Sequence, residues 1–169
     1  MGPRGPEGVS SLVLLGLLTL HFPPVCEASA MSLSIRNQIP GTVVSLTRGE
    51  AMATVRVRLS GGGDITAAVT LDAVDELGLD QGTAVHALVK ATEVALATGP
   101  VEGLSLRNRL PGTVRQVRAG AAMASVRVAV DGGELTAAVT RDAVTELGLA
   151  EGSDVTVLFK STEVSLSTG

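Results

Sequence analysis

Aromatic residues are almost absent from this sequence, which has two Phe and neither Trp nor Tyr in 169 residues. Proteins that bind single-stranded nucleic acids stack the bases on aromatic side chains, and this chain offers no such platform. The hydrophobic fraction is nevertheless 45%, so the core has to be built from Val, Leu, Ile and Ala. Such a composition favours short, closely packed β-strands.

Cysteine, histidine and net positive charge are scarce as well. Cys26 is the only cysteine, which excludes a disulfide framework and a cysteine-rich metal site. His21 and His86 have no counterparts in the internal repeat described below, and no Ser-His-Asp arrangement occurs in both copies. The formal net charge of −4 argues against general nucleic-acid binding, which needs clustered Lys and Arg. We therefore expect no enzyme, no catalytic cofactor, no metal held directly by side chains and no nucleic-acid partner.

Most of the chain is one unit written twice. The segment SIRNQIPGTV at 34–43 returns as SLRNRLPGTV at 105–114, and the residues after each copy also repeat. Each copy predicts a short strand with a hydroxyl, a cation and an amide, then a break at Pro-Gly, then a second strand. We therefore divide the chain into a first domain at 31–99, a linker at 100–103 and a second domain at 104–169.

Alternating apolar and polar residues predict five short strands and one short helix in each domain. Thr70 is expected to cap the first helix, and Met52 and Met123 are expected to fill the core. The predicted strands lie at 39–47, 52–59, 65–70, 84–90 and 93–97, with a helix at 71–77, and again at 112–118, 123–130, 135–140, 154–160 and 163–167, with a helix at 141–147. The fold class is therefore mainly β, as two tandem OB-like five-stranded Greek-key barrels.

Residues 1–30 do not belong to the repeat. An apolar stretch from Ser10 to Phe22, followed by small residues at 28–30, resembles a secretory signal peptide. The alternative is that translation starts at Met31 and that the upstream residues are an artefactual N-terminal extension. The apolar stretch is too short to span a bilayer comfortably, so no membrane partner is expected for the folded domains.

The two lysines of the chain, Lys90 and Lys160, occupy matching positions in the two copies. A surface lysine copied by the duplication would explain this placement, but so would a shared task. The same copies also offer hydroxyls, guanidinium groups and helix-start threonines with their backbone N–H groups: Ser34, Arg36 and Thr70 in the first, Ser105, Arg107 and Thr140 in the second. All of these groups are hydrogen-bond donors. The chemistry fits a small, fully ionised tetrahedral oxyanion, which can only accept hydrogen bonds.

Three motifs resemble the Mop domain of molbindins, a TOBE-like molybdate-binding family. They are the opening Ser-x-Arg-Asn-x-Ile/Leu-x-Gly-x-Val, the strand ending in Thr before a helix that closes with Glu-Leu-Gly-Leu, and the final Lys-Ala/Ser-Thr-Glu-Val. The resemblance covers nearly all of 32–168, twice. It implies an OB-like fold and a homotrimer of two-domain chains with oxyanions bound at interfaces between domains.

The resemblance also assigns the binding residues. In the first domain they are Ser34, Arg36, Lys90, Ala91 and Thr92, with Thr70 from another domain; the counterparts are Ser105, Arg107, Lys160, Ser161 and Thr162, with Thr140. The chain departs from the pattern at Ala73 and Ala143, where relatives often have Ser. A hydroxyl contact is lost there, and only the backbone N–H remains.

The resemblance implies cytoplasmic binding, storage and homeostasis of molybdate, with tungstate as an equally suitable ligand. One alternative is a molybdate-sensing regulatory module that acts on a partner protein. The other is an exported oxyanion-binding protein, which requires residues 1–30 to be a cleaved signal peptide.

Overall fold

A computed structural model of the protein describes residues 33–169, and the segment 1–30 discussed above lies outside the described residues. The first copy forms strands β1 (Asn37–Arg48), β2 (Met52–Leu59), β3 (Asp64–Thr70), β4 (Ala84–Val89) and β5 (Ala95–Ala97), with helix α1 (Leu71–Glu76) and a 3-10 helix (Ala91–Glu93). The second copy forms β6 (Asn108–Ala119), β7 (Met123–Val130), β8 (Gly133–Thr140), β9 (Asp154–Phe159) and β10 (Ser165–Ser167), with helix α2 (Arg141–Glu146) and a 3-10 helix (Ser161–Glu163). The order of elements is the one predicted, and most boundaries agree within a few residues.

The strands form two curled antiparallel sheets of five strands each, in the orders β10-β4-β1-β2-β3 and β5-β9-β6-β7-β8. The last strand of each copy therefore belongs to the sheet of the other copy: β10 pairs with β4, and β5 pairs with β9. The 3-10 helix before each exchanged strand lies against the edge strand of the sheet that it joins, β3 or β8. The mainly β fold is confirmed, with the addition that each half is completed by a segment of the other.

Alternating burial builds the core. In β2 every second residue is buried, with Ala53, Val55, Val57 and Leu59 on the inner face. The equivalent pattern recurs in β7, and inward-facing aliphatic residues of both sheets form one continuous cluster. Phe159 is its largest fully buried side chain, so the core is aliphatic with a single aromatic contribution.

The expected break at Pro-Gly is wrong, because β1 runs through Pro40 and Gly41 without interruption. Pro40 lies opposite His86 of β4, while pairing with β2 begins only at Gly41. A missing N–H at Pro40 therefore removes no ladder hydrogen bond to β2, and its carbonyl still accepts from the N–H of Ser60 at 3.1 Å. Glycine is needed next because a Cβ at 41 would lie 2.7 Å from the carbonyl oxygen of Arg58.

The expectation that Met52 and Met123 fill the core is also wrong. Their exposed fractions are 45% and 49%. Both stand at the outward-facing start of a strand whose next residue is buried, so the period-2 pattern itself places them outside.

The predicted helix cap is confirmed at Thr70, whose Oγ1 accepts a hydrogen bond from the N–H of Ala73 at 3.2 Å. The same bond joins Thr140 and Ala143 in the second half. Each cap fixes the turn by which an edge strand enters its helix. Within residues 33–169, no helix has the length and apolar character needed to cross a membrane.

Candidate functional site

The strand register brings two predicted cations together in each half. The β1–β4 ladder ends with Asn37 opposite Val89, so Arg36 and Lys90 each lie one residue beyond the last pair. Neighbouring strands are about 5 Å apart, and the two residues therefore leave the sheet side by side although 53 residues separate them in the sequence.

The second half repeats this arrangement. Asn108 lies opposite Phe159 at the end of the β6–β9 ladder, so Arg107 and Lys160 are adjacent in the same way. Both lysines and both arginines are exposed at these strand ends. The fold thus generates two equivalent cation pairs, Arg36–Lys90 and Arg107–Lys160.

Among residues 33–169, no carboxylate forms an ion pair with a member of either cation pair. The four ion pairs found among residues 33–169 use other side chains. Where two like charges approach to about 5 Å, they repel each other by roughly 0.8 kcal/mol even in water. An anion bound between the members of a pair removes this repulsion and replaces it with attraction to both.

Lys90 also lines a small cleft of about 130 Å³ that lies between the two halves. The cleft contains Ile35 of the opening motif together with Thr162 of the second half. Strand exchange explains this neighbourhood, because β10 follows Thr162 and pairs with β4 next to Lys90. Glu93 and Glu163 line the cleft as well, so the cleft interior is not by itself an anion cage.

Ser161 has a buried hydroxyl next to Lys160. Its Oγ has no hydrogen-bond partner within the described part of the chain. A buried hydroxyl without a partner is costly. Gln116 Oε1 is likewise buried and unpaired, but it is not near any predicted site residue in sequence. The first half has Ala91 in place of Ser161.

The sequence grouped the helix-start threonines with the cation pairs. Neither Thr70 nor Thr140 is among the residues lining the cleft at Lys90. The N–H of Ala73 is taken by Thr70 and that of Leu71 by the carbonyl of Ala51 at 3.2 Å. Within residues 33–169, the donors of this turn that make no hydrogen bond are therefore the Thr70 hydroxyl and the Asp72 N–H.

Exposed apolar side chains lie beside the serines of the opening motif and beside the helix-start threonines. Leu33 precedes Ser34 and Leu104 precedes Ser105, and these leucines are 38% and 48% exposed. The exposed methionines lie opposite the capping threonines, with Met52 paired to Thr70 and Met123 to Thr140. These four are the large exposed hydrophobic residues of the described chain, and all four stand beside predicted site residues.

Sequence reasoning gave no role to Asn37 and Asn108, which follow Arg36 and Arg107. They are the two buried polar residues of the segment that the structure describes. Their occurrence at matching positions, two residues before the inward-facing Ile39 and Leu110, was the available signal. Within the same segment, no group of three or more His, Cys, Asp or Glu residues is arranged to hold a metal ion.

A known domain family matches both copies of the repeat. The TOBE domain family matches the chain twice, at residues 33–96 and 104–166. Molybdenum-pterin-binding protein MopB of Rhodobacter capsulatus is 36% identical over 164 residues, covering 95% of this chain and 61% of that protein. Molybdenum transport protein ModE of Azotobacter vinelandii is 36% identical over 147 residues, covering 86% of this chain and 54% of that protein. The chain thus spans a little over half the length of these curated relatives.

A solved structure is similar over a whole chain. It is the cytoplasmic molybdate-binding protein ModG in a crystal form with molybdate bound, which superposes with a TM-score of 0.80 at 41% sequence identity. The match covers 82% of this chain and 100% of that chain. Both the tandem arrangement and the curled five-stranded sheets therefore have a counterpart in a solved structure.

Proposed function

The chain belongs to the TOBE-domain family, and on that premise we propose that it binds molybdate, or tungstate in its place, and stores it in the cytoplasm without catalysing a reaction. The molbindin-like family inferred from the sequence is confirmed. The observation that carries the proposal is the register that sets Arg36 beside Lys90 and Arg107 beside Lys160.

The donor set suits this ligand. A tetrahedral dianion without protons only accepts hydrogen bonds, and guanidinium, ammonium and hydroxyl groups can all donate to it. Such charge-assisted bonds are roughly twice as strong as neutral ones. The buried Ser161 hydroxyl gains the acceptor that it lacks. Near neutral pH phosphate often carries a proton, which this set of donors leaves without an acceptor.

The proposal includes completion of each site by another copy of the chain, in a homotrimer. Thr70 and Thr140 do not line the cleft that contains Lys90, yet each lies opposite an exposed methionine. Exposed apolar side chains beside both kinds of site residue suit an interface. In the trimer they would shield the anion from water. Native mass spectrometry is expected to give three chains, and a monomer at micromolar concentration would contradict this part.

The binding proposal is tested by replacing both lysines. We expect Lys90→Ala together with Lys160→Ala to weaken molybdate binding about 10- to 150-fold at the sites of both halves, since each site loses one ammonium group and a hydrogen bond to a charged group contributes about 1.5–3 kcal/mol. Each single variant is expected to lose the sites of one half only. Titration calorimetry gives the affinity and the number of sites, and circular dichroism checks that the fold is retained.

Arg48→Ala is the matched control, because it removes a cation whose partner is the exposed Asp75 at 2.9 Å. It should bind molybdate as the unaltered chain does. An unchanged affinity and number of sites in the double lysine variant would refute the assignment of the cation pairs.

A second candidate function is molybdate sensing on behalf of a partner protein. The match to ModE favours it, because this chain corresponds to only 54% of that longer protein. Sensing predicts that a partner is captured in a pull-down with molybdate and not without it. Storage instead predicts that protein purified from molybdate-supplemented cells contains molybdenum by elemental analysis. The exported alternative depends on residues 1–30 and is decided by the mature N-terminus, measured by mass spectrometry.

A further inference from the structure

Two buried asparagines join the halves by reciprocal hydrogen bonds. The Asn37 amide donates to the carbonyl oxygen of Thr136 at 2.9 Å and accepts from the N–H of Thr136 at 2.7 Å. The Asn108 amide makes the same pair of bonds to Thr66, at 2.9 and 2.7 Å. Their exposed fractions are 2% and 1%. We call these two contacts the amide clamps.

Each amide clamp acts on an edge strand of the other half. Thr136 lies in β8 and Thr66 in β3, and both strands stand at the end of their sheets. A primary amide presents an N–H and its C=O on the same side, so one side chain can satisfy both the N–H and the C=O of a single edge residue. The clamps therefore connect the start of β1 to β8 and the start of β6 to β3.

The position of each amide clamp relates it to the cation pair. Asn37 directly follows Arg36, and its ladder partner Val89 directly precedes Lys90. Fixing the Asn37 side chain therefore fixes the strand end from which both cations extend. Asn108 stands in the same relation to Arg107 and Lys160.

We propose that Asn37 and Asn108 are positioning residues of the oxyanion sites, each holding the cation pair of its own half in place by its hydrogen bonds to the edge strand of the other half. The inference rests on the proposed function, because it concerns the same sites. Exposed arginine and lysine side chains are flexible, so a rigid strand end reduces the freedom that the ligand has to remove on binding. The hydrogen bonds of the clamps go to Thr136 and Thr66, so the clamps act on the cations only through the backbone.

The test separates positioning from general stability. Asn37→Ala and Asn108→Ala are each expected to weaken molybdate binding about tenfold, in the range found when partners that orient ligating groups are removed. The number of sites at saturation should not change. Ile39→Ala and Leu110→Ala are the matched controls, since these residues are buried in the same two strands and lie two positions further along. They should lower Tm at least as much, with molybdate affinity within about twofold of the unaltered chain.

The outcomes are distinguishable. If affinity falls in proportion to Tm in all four variants, the positioning role is overturned, while the proposal that the chain binds molybdate stands. Absence of binding by the unaltered chain would overturn the proposed function and the positioning role with it. If the alanine variants do not fold, Asn37→Leu and Asn108→Leu replace them, because leucine has a similar branched shape, removes both hydrogen bonds and adds no charge. Affinities of these variants equal to that of the unaltered chain would then refute the positioning role.

Discussion

The two halves agree at the cation pairs, helix caps and amide clamps and differ on the outer face. The register of the ladders is the same in both, down to the irregularity after Val43 and Val114. The distances of the amide clamps and of the helix caps are also the same. Because the two copies have diverged in sequence elsewhere, the features that stay equal indicate where the fold and the binding site are fixed.

Charges on the outer face have changed position freely between the copies. Arg58 of the first half corresponds to Ala129 of the second, and Val44 corresponds to Arg115. In the second half Arg115, Asp131 and Asp154 line an open groove of about 610 Å³. The first-half counterparts of these three residues are uncharged. The charges that line this groove are thus a property of one copy, whereas the cation pairs belong to both.

The largest predicted effect comes from separating the halves. A fragment of residues 31–99 lacks β10 and with it the buried side chains of Val164 and Leu166. Losing the burial of these two side chains lowers the free energy of unfolding by about 3–6 kcal/mol. This is a large part of the 5–15 kcal/mol typical of a whole domain. We expect the fragment to fold only as a dimer, in which the β5 strand of each copy takes the place of β10.

Size-exclusion chromatography with circular dichroism across a concentration series measures this dependence. The control is residues 31–169, whose secondary structure should not change on dilution over the same range. A fragment that stays folded as a monomer would show that the exchanged strand is dispensable.

Strand exchange also marks the limit of what the sequence could predict. Alternation located β2 at 52–59, and the cap at Thr70 located the start of α1. The fifth strands, ALA at 95–97 and SLS at 165–167, carry the same pattern in both copies. Nothing in that pattern says which sheet either strand joins. Pairing between equivalent segments is decided by the length and path of the connections, which only coordinates show.

For a related reason, the sequence constrains the positions of some predicted site residues more than those of others. Arg36 directly precedes β1 and Lys90 directly follows β4, so their adjacency could be deduced once these two strands were known to pair. The helix-start threonines belong to edge strands with no such constraint, and their role as ligands stays a prediction. The amide clamps were missed because their hydrogen bonds span 99 and 42 residues of sequence, so the matching positions of the two asparagines do not reveal their partners.

A smaller effect is expected from exchanging the residues that follow the lysines. Ser161→Ala should weaken binding at the second-half sites about two- to tenfold, in line with 0.5–1.5 kcal/mol for a hydrogen bond. The same change should raise or preserve Tm without ligand, since the removed hydroxyl is buried and unpaired. Ala91→Ser should strengthen the first-half sites. Titration calorimetry measures the affinity of both variants, and thermal melts measure their Tm without ligand. An unchanged affinity together with a lower ligand-free Tm in Ser161→Ala would contradict this prediction.

The smallest effect concerns a charge cluster whose composition differs between the halves. Asp64 is paired with Arg58 and with Arg56, the latter at 2.7 Å. In the second half Arg127 pairs with Glu134 at 2.5 Å, and Ala129 stands where the other arginine would be. The hydrogen bond from Arg58, with a further contribution from Arg56, holds the pKa of Asp64 below its ordinary value of 3.8 despite partial burial.

A carboxyl group with a lowered pKa in the folded state stabilises the fold above its ordinary value of 3.8, and this contribution is lost as the pH falls through the folded-state pKa. Asp64→Asn should therefore lower Tm at neutral pH by no more than about 3 °C, because pairs with exposed arginines contribute little. The difference from the unaltered chain should shrink toward zero in acid, where both carry a neutral side chain. Arg58→Ala should reproduce part of the effect and Arg115→Ala none. If the Tm difference between Asp64→Asn and the unaltered chain grew on acidification, Asp64 would stabilise the fold in its protonated form. Its ion pairs with Arg56 and Arg58 would then not be the stabilising feature that distinguishes the first half.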